Sequence, residues 1–227
     1  MTTSNEKLQR QLDGLNPVPL REVPVSAATI REQVTGAILA GGRSSRMGRN
    51  KALLDVAGLP LIERTYRTMA ELFAEVIVVT NTPRDYVFLP CPLVGDVYPN
   101  VGSIAGVHSA LQHSTNETIF VVPCDMPFLE PRLIRQLCAQ NGDWDALVPV
   151  SARGVEPLHA LYRRRCLPQL ETRLLSGRKQ LLGFLRSVET RYVDVDASLS
   201  ASAEPLFCNL NTPQDYAAHV PAGLVMS

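Results

Sequence analysis

Short, wholly apolar runs recur along the chain, and each ends in a glycine or a polar residue. Gly36-Ala37-Ile38-Leu39 runs into Gly41-Gly42, and Val76-Ile77-Val78-Val79 into Thr80-Asn81. Leu93-Val94 precedes Gly95-Asp96, and Ile119-Phe120-Val121-Val122 stops at Pro123-Cys124-Asp125. A strand with one wet face alternates apolar and polar residues. These runs do not, so they predict strands buried on both faces, as in a parallel sheet. Between them the spacing becomes helical. Pro60 opens a pattern with Leu61, Tyr66, Met69, Leu72 and Phe73 on one face, Gly102 to Leu111 reads as a loop entering a helix, and Pro131 starts a helix with Leu133, Ile134 and Leu137 inward. Strands alternating with helices predict an α/β fold with a mostly parallel sheet.

Beyond Trp144 the alternation loosens. Strand candidates are Ala146–Val148, Leu158–Tyr162, Tyr192–Val195 and Leu206–Cys208, with helical stretches at Leu167–Leu175 and Gln180–Leu185 and a helix start at Pro213. Residues 1–33 have a different texture. They are polar, carry Pro17, Pro19 and Pro24, and show only a short helical pattern at Leu8, Leu12 and Leu15, as expected of a loosely attached extension. The predicted organisation is an extension (1–33), one catalytic-size domain (34–220) and a tail (221–227).

Composition narrows the function. The 227 residues suit one elaborated domain, and the charges balance at 22 basic and 22 acidic. That balance argues against a protein of nucleic acids or membrane surfaces, which carries a basic excess. Five cysteines (Cys91, Cys124, Cys138, Cys166 and Cys208) are scattered without a Cys-x-x-Cys pair, so zinc ribbons and redox dithiols lose their signature. With neither a signal-like N-terminus nor a bilayer-length apolar run, the expected compartment is the cytoplasm.

In open parallel sheets ligands bind beyond the carboxyl ends of the strands. The chemistry-bearing residues gather there: Gly41-Gly42 after the first run, Asn81 after the second, Asp96 after the third, Asp125 after the fourth. The first loop, Leu39 to Lys51, combines three glycines with Arg43, Arg46, Arg49 and Lys51, which gives oriented amides and fixed positive charge for a polyphosphate. It is neither a G-x-x-x-x-G-K-[ST] loop nor a G-x-G-x-x-G fingerprint, which disfavours those ATPase, GTPase and NAD classes. Asp125 alone could cap its own turn. Beside a phosphate loop it reads better as a Mg²⁺ ligand, since Mg²⁺ takes one or two carboxylates plus substrate phosphates. Gly177-Arg178-Lys179 precedes an apolar helical pattern, where cations gain nothing from the helix dipole; an anionic ligand or a solvated linker fits equally. His159 reads as a pocket or core histidine, and His108, His113 and His219 as helix-surface residues.

The string Leu39–Lys51, Asp96 with Gly102–Gly106, Pro123-Cys124-Asp125-Met126-Pro127, Pro157–Tyr162 and Asn209-Leu210-Asn211-Thr212-Pro213 occur in that order. Together they closely resemble the molybdenum cofactor guanylyltransferase family, over roughly residues 35–220. The resemblance implies a single Rossmann-like three-layer domain of the nucleotide-diphospho-sugar transferase-like fold. It implies transfer of GMP from Mg-GTP to the terminal phosphate of molybdenum-bearing molybdopterin, with release of pyrophosphate. Leu39, Ala40, Gly41 and Gly42 would contact the nucleotide, Lys51 its phosphates, and Asn81 and Asp96 its base and ribose. Asp125 would hold Mg²⁺, with Asn209 a further metal candidate, and Lys51 and Arg46 would face the developing charge. His159, Arg178 and Asn211 would lie on the acceptor side. Other molybdenum cofactor biosynthesis proteins or molybdoenzyme chaperones would be partners. Two departures stand out. Asn50 replaces the usual aspartate before the lysine, and Val101-Gly102-Ser103-Ile104 replaces a Gly-Pro-Leu element.

Rival readings are a CTP-dependent enzyme on the same acceptor, or a nucleotidyltransferase for a sugar or alcohol phosphate. Those relatives read Leu-Ala-Ala-Gly where this chain has Leu39-Ala40-Gly41-Gly42. A non-catalytic nucleotide-binding module is disfavoured by the retention of both Lys51 and Asp125.

Overall fold

The computed structural model describes residues 12–24, 26–41, 50–56, 58–126, 128–196 and 207. Among these residues the central element is a nine-stranded sheet. In chain order its strands are β1 (Val18–Pro19), β2 (Val34–Leu39), β5 (Val76–Val79), β6 (Leu93–Val94), β7 (Thr118–Pro123), β8 (Ala146–Ser151), β9 (Gly154–Val155), β10 (Ala160–Arg163) and β11 (Thr190–Asp194). A separate short hairpin joins β3 (Asp55–Val56) to β4 (Leu59–Pro60). The helices are α1 (Ala27–Gln33), α2 (Leu61–Leu72), α3 (Ser103–His113), α4 (Pro131–Cys138), α5 (Leu167–Leu175) and α6 (Leu181–Leu185).

Across the sheet the order is β1-β11-β8-β10-β7-β2-β5-β6, with β9 on β8. The block β6-β5-β2-β7 is parallel, as the apolar runs predicted. β10 is antiparallel to both its neighbours, β7 and β8. Every residue of β2, β5 and β8 is buried, because both sheet faces are covered. Ile38, Val78, Phe120 and Leu161 point to the face that packs with α2 and α4 residues such as Met69 and Leu133. Ala37, Leu39, Ile77, Val121 and Tyr162 point to the other, with Val107 of α3 and Leu170 of α5. α2 can lie close to β2 because position 36 is glycine. A Cβ there would stand 2.8 Å from Phe73 Cδ2, closer than real Cβ contacts allow.

The N-terminal extension departs from the expectation of loose attachment. From Leu12 onward its described residues are built into the fold. β1 adds a parallel edge strand to β11, with Val18 opposite Val193. Leu12 and Leu15 pack on the α3/α5 side of the core, and Ile30 of α1 is 5% exposed. Arg31 donates to the Ala70 and Glu71 carbonyls at the end of α2, capping it from outside. Gln140 donates to the Arg21 carbonyl at 2.7 Å, and Arg132 pairs with Glu22 at 2.9 Å. Composition misleads here because most of these contacts are made by backbone and long polar side chains, with Leu12, Leu15 and Ile30 adding apolar packing. The strand candidate at Leu206–Cys208, apart from Phe207, which stands in a turn, and the helix start at Pro213 lie outside the described residues.

Deleting residues 1–30 removes β1 and the buried Ile30, whose side chain alone is worth about 2 kcal/mol. The expected outcome is a fall in Tm of several degrees by calorimetry. An unchanged Tm would mean that these contacts carry no net stability.

Candidate active site

The chain leaves β2 toward β5 through α2, on one face of the sheet. It returns from β6 to β7 through α3, on the other face. The strand order therefore reverses between β2 and β7, the kind of switch point where α/β sheets open a ligand crevice. The ladder carries one residue past each strand. Ala40 N–H donates to the Val79 carbonyl, Thr80 N–H to Val94, and Cys124 N–H to Leu39. The residues that follow (Gly41, Asn81 and Asp125) are released from the sheet at one edge.

A cleft of about 760 Å³ opens there. Leu39, Ala40, Gly41, Asn81 and Asp96 of the expected nucleotide-binding set form part of its wall. Asn81 and Asp96 are tied by two bonds. The Asn81 amide donates to Asp96 Oδ2 at 2.8 Å, and Asp96 N–H donates to Asn81 Oδ1 at 3.0 Å. This closes the ends of β5 and β6 into one unit. The next loop residue, Val97, is held by the buried Ser109 hydroxyl of α3. Burial pushes the Asp96 carboxyl up from the ordinary aspartate range, and the Asn81 bond partly offsets it. The other oxygen, Oδ1, is buried without a partner among the described residues. Across the cleft Gly41 leaves space, since a Cβ there would meet nothing nearer than Asp96 Oδ2 at 3.9 Å.

α3 points its first turn at the same cleft, with Gly102 and Ser103 on the wall. Its N-cap is Gly102, at φ +101°, with no side-chain cap on the first amides. A glycine is the residue that tolerates this backbone conformation. The divergent Val101–Ile104 segment thus supplies free N–H groups and the positive end of a dipole.

Lys51 and Asp125 stand outside the cleft's lining, each one or two residues past a residue of its wall (Asn50 and Pro123), and the lysine's charge acts on the aspartate. Lys51 opens a single helical turn, Lys51–Leu53. Burial pushes the Asp125 carboxyl up, and the Lys51 charge and a backbone bond draw it back. Cys124 beside it is pushed up to about 12 by burial, with the Asp125 charge adding to the effect, so it stays a thiol. Gly42, Arg46, Asn209 and Asn211 lie outside the described residues. Arg178 is exposed, in the turn after α5.

His159 is not available to an acceptor. It is 3% exposed and stands edge-on to Phe120 and Phe207, each at 5.0 Å between ring centres. Burial pushes it down to about 3, so it is a neutral core residue. His108 is likewise buried, 1% exposed, against Tyr98 and within 3.4 Å of Glu171, because the face of α3 that carries it is covered by α5. His113 does lie on the surface.

Sequence reasoning missed Asp85 and Tyr86, which line the cleft from the Pro83–Tyr86 turn. Nothing in the local pattern marks them. It also missed Glu156, in the turn after β9, which burial pushes up to about 7 while Ser151 and Arg153 oppose the shift.

The geometry defines a class: an α/β protein whose parallel strand ends build a crevice with a carboxylate–amide pair and a helix N-terminus on its wall and a lysine and an aspartate beside it. The chain belongs to the MobA-like NTP transferase domain family, whose model matches residues 36–193. It is therefore a nucleotidyltransferase of the nucleotide-diphospho-sugar transferase-like fold. It is 36% identical over 184 residues to a "Probable molybdenum cofactor guanylyltransferase" of Pelotomaculum thermopropionicum, covering 81% of this chain and 90% of that one. It is 33% identical to the molybdenum cofactor guanylyltransferase of Desulfosudis oleivorans over 187 residues, covering 81% of this chain and 93% of the other. The crystal structure of molybdopterin-guanine dinucleotide biosynthesis protein A from Archaeoglobus fulgidus superposes with a TM-score of 0.70 at 28% identity, covering 82% and 96% of the two chains. No helix among the described residues is long and apolar enough to cross a membrane.

Glu156 gives a test of the local electrostatics. Its folded pKa lies above the unfolded value, so the native state holds the extra proton between roughly pH 4.5 and 7. Stability falls as pH rises through that window. Glu156→Gln is expected to raise Tm by several degrees at pH 8 and to leave it unchanged at pH 4. Equal shifts at both pH values would mean that the carboxyl does not titrate as a buried group.

Proposed function

We propose that the chain transfers GMP from GTP to the terminal phosphate of molybdenum-bearing molybdopterin, releasing pyrophosphate. The observation that carries this reading is the paired strand-end cluster. Asn81–Asp96 and Gly41 border a cleft with room for a base, and Lys51–Asp125 stands beside it. The names of the curated relatives supply the acceptor. Guanine offers N1–H and a 2-amino group side by side, and Asp96 Oδ1 is an acceptor without a partner among the described residues. Cytosine carries only its single amino group there.

A divalent cation fits the residues present. Asp125 is a hard oxygen donor on the sheet edge that a triphosphate would reach, and one carboxylate is what Mg²⁺ arriving with phosphates requires. Among the described residues no cluster of three His, Cys, Asp or Glu side chains forms a resident metal cage. Bound there, Mg²⁺ would neutralise charge on the triphosphate. The chain's own part is positioning and charge. The Lys51 charge opposes the burial that raises the Asp125 carboxyl, and Lys51 and Arg46 are assigned to the phosphates. The α3 amides offer donors to the nucleotide, and Arg178 and Asn211 are assigned to the acceptor's anionic end. An oxygen of the acceptor phosphate attacks the α-phosphorus in line, and the bond to the bridging β-phosphate oxygen breaks. The nucleophile is already an anion, so no general base is needed. The neutral, buried His159 leaves the mechanism complete.

Two measurements check the reading. With Mg²⁺ present the protein is expected to bind GTP in preference to CTP, ATP and UTP, and equal binding of all four would leave only the fold. Asp125→Ala is expected to abolish pyrophosphate release without lowering Tm, since the carboxyl it removes is already penalised by burial. Full activity would place the metal elsewhere.

Gly41→Ala is expected to fold normally, given the open space, and to cut kcat/KM for GTP about tenfold while affecting CTP weakly. An unchanged GTP-to-CTP ratio would put base selection in the Val101–Ile104 segment.

A further inference from the structure

Asn50 occupies an unusual position. Its side chain reaches in two directions at once. Its Oδ1 accepts from Ala52 N–H at 3.2 Å, capping the turn that starts with Lys51. Its Nδ2 donates to the Tyr86 hydroxyl at 2.8 Å and to Asp85 Oδ2 at 3.3 Å, both on the Pro83–Tyr86 turn. The Tyr86 hydroxyl is also within 3.2 Å of Asn50 Oδ1. Tyr86 itself is 1% exposed, so its hydroxyl is a fixed point and not a mobile surface group.

The geometry points to Asn50 as a positioning residue that sets the place of Lys51 beside the nucleotide cleft, a role that requires an amide and excludes a carboxylate because Asp85 faces it. This rests on the reading of the cleft as a nucleoside triphosphate site. The Pro83–Tyr86 turn follows Asn81, which is itself bonded to Asp96. The turn thus lies two residues along the chain from the group assigned to base and ribose, and through Asn50 it is hydrogen-bonded to the turn that carries the phosphate-facing lysine. Only a side chain with a donor and an acceptor can both cap the Lys51 turn and satisfy the Asp85 oxygen. An aspartate at position 50 keeps the cap but sets two carboxylates about 3.3 Å apart. One must then take up a proton or swing away, and the turn goes with it.

The titratable groups around this contact are Asp85 and Tyr86 on the facing turn, Lys51 next in sequence, and Cys124 and Asp125 at the end of β7. The test uses the full chain with Asn50→Asp, Asn50→Ala, Asp85→Asn and the pairwise combinations. Two readouts are taken: Kd for Mg-GTP, and hydrogen exchange at the Ala52, Leu53 and Leu54 amides of the free protein. Asn50→Asp is expected to weaken Mg-GTP about tenfold at pH 8 and to speed exchange at the three amides. Both defects shrink as the pH is lowered, because a proton on either carboxyl removes the repulsion. Adding Asp85→Asn restores Kd to within about threefold of the unsubstituted protein and slows exchange again. Asn50→Ala weakens binding similarly, but Asp85→Asn does not rescue it, because no side chain remains to meet the new amide. Binding and exchange unchanged in both single variants would overturn the inference, as would failure of Asp85→Asn to improve Asn50→Asp. If the unsubstituted protein bound no nucleotide, the functional reading would fall, while the exchange pattern and its rescue would still decide the role of Asn50 in holding the turn.

Discussion

The structure depends on the placement of β2. It is hydrogen-bonded on both sides, to β5 and β7, and all six of its residues are buried. A strand with no free edge and no wet face can end only by leaving the sheet, and its end is the one point where neighbouring connections part to opposite faces. α2 and α3 are thereby forced onto opposite sides, and the space between their paths is the cleft. Close approach is needed on both faces. Gly36 admits Phe73 on one, and Gly106 lies against Leu39 on the other, where an added Cβ would sit 3.1 Å from Leu39 Cδ1. Larger side chains at these points would lift a helix and widen the crevice.

The same constraint explains the electrostatics. Residues just past buried strands are partly desolvated, so carboxylates there hold their protons more tightly than in water. Asp96 and Asp125 both show this shift, and each has a specific partner that opposes it. For Asp96 the partner is an amide, and for Asp125 it is a cation. The first arrangement leaves an oriented acceptor with no net neutralisation, which suits reading hydrogen-bond donors. The second sets a carboxylate in the field of a cation, which opposes the shift that burial imposes. Two aspartates at equivalent strand ends thus acquire different chemistry from their neighbours alone.

At the far edge of the sheet the polar contacts serve the fold. Arg164 donates to the carbonyls of Leu111, Ser114 and Asn116, closing the C-terminal end of α3 opposite the end that faces the cleft. Arg163 lies over the Trp144 ring at 3.9 Å, and Arg165 pairs with Asp143 and Asp145. The polar groups are therefore divided between the two edges. At one edge the arginines are engaged internally, although Trp144 Nε1 is buried without a partner among the described residues, and the other edge leaves donors and acceptors at the cleft.

The amino-acid sequence by itself determined the strands and helices of the parallel block, because burial on both faces writes an unbroken apolar run that ends where the strand ends. β5 and β6 match their predicted spans, and helix α4 starts at Pro131 as predicted, for that reason. It also placed Gly41, Asn81, Asp96 and Asp125 at the strand ends, since they follow those runs directly. What lay beyond it are features made by residues distant in the chain. The N-terminal segment looks unattached because β1 pairs through its backbone, Arg31 holds carbonyls of α2, and the apolar residues that do pack, such as Leu12, Leu15 and Ile30, are too widely spaced to write a sustained apolar face. His159 looks like a possible ligand until Phe120 and Phe207 close on it, and Asn50 looks like a simple loss of charge until Asp85, thirty-five positions on, is found facing its amide. Hydrophobic burial is encoded residue by residue, whereas the partner of a polar group is chosen by the fold, and only the tertiary structure decides it.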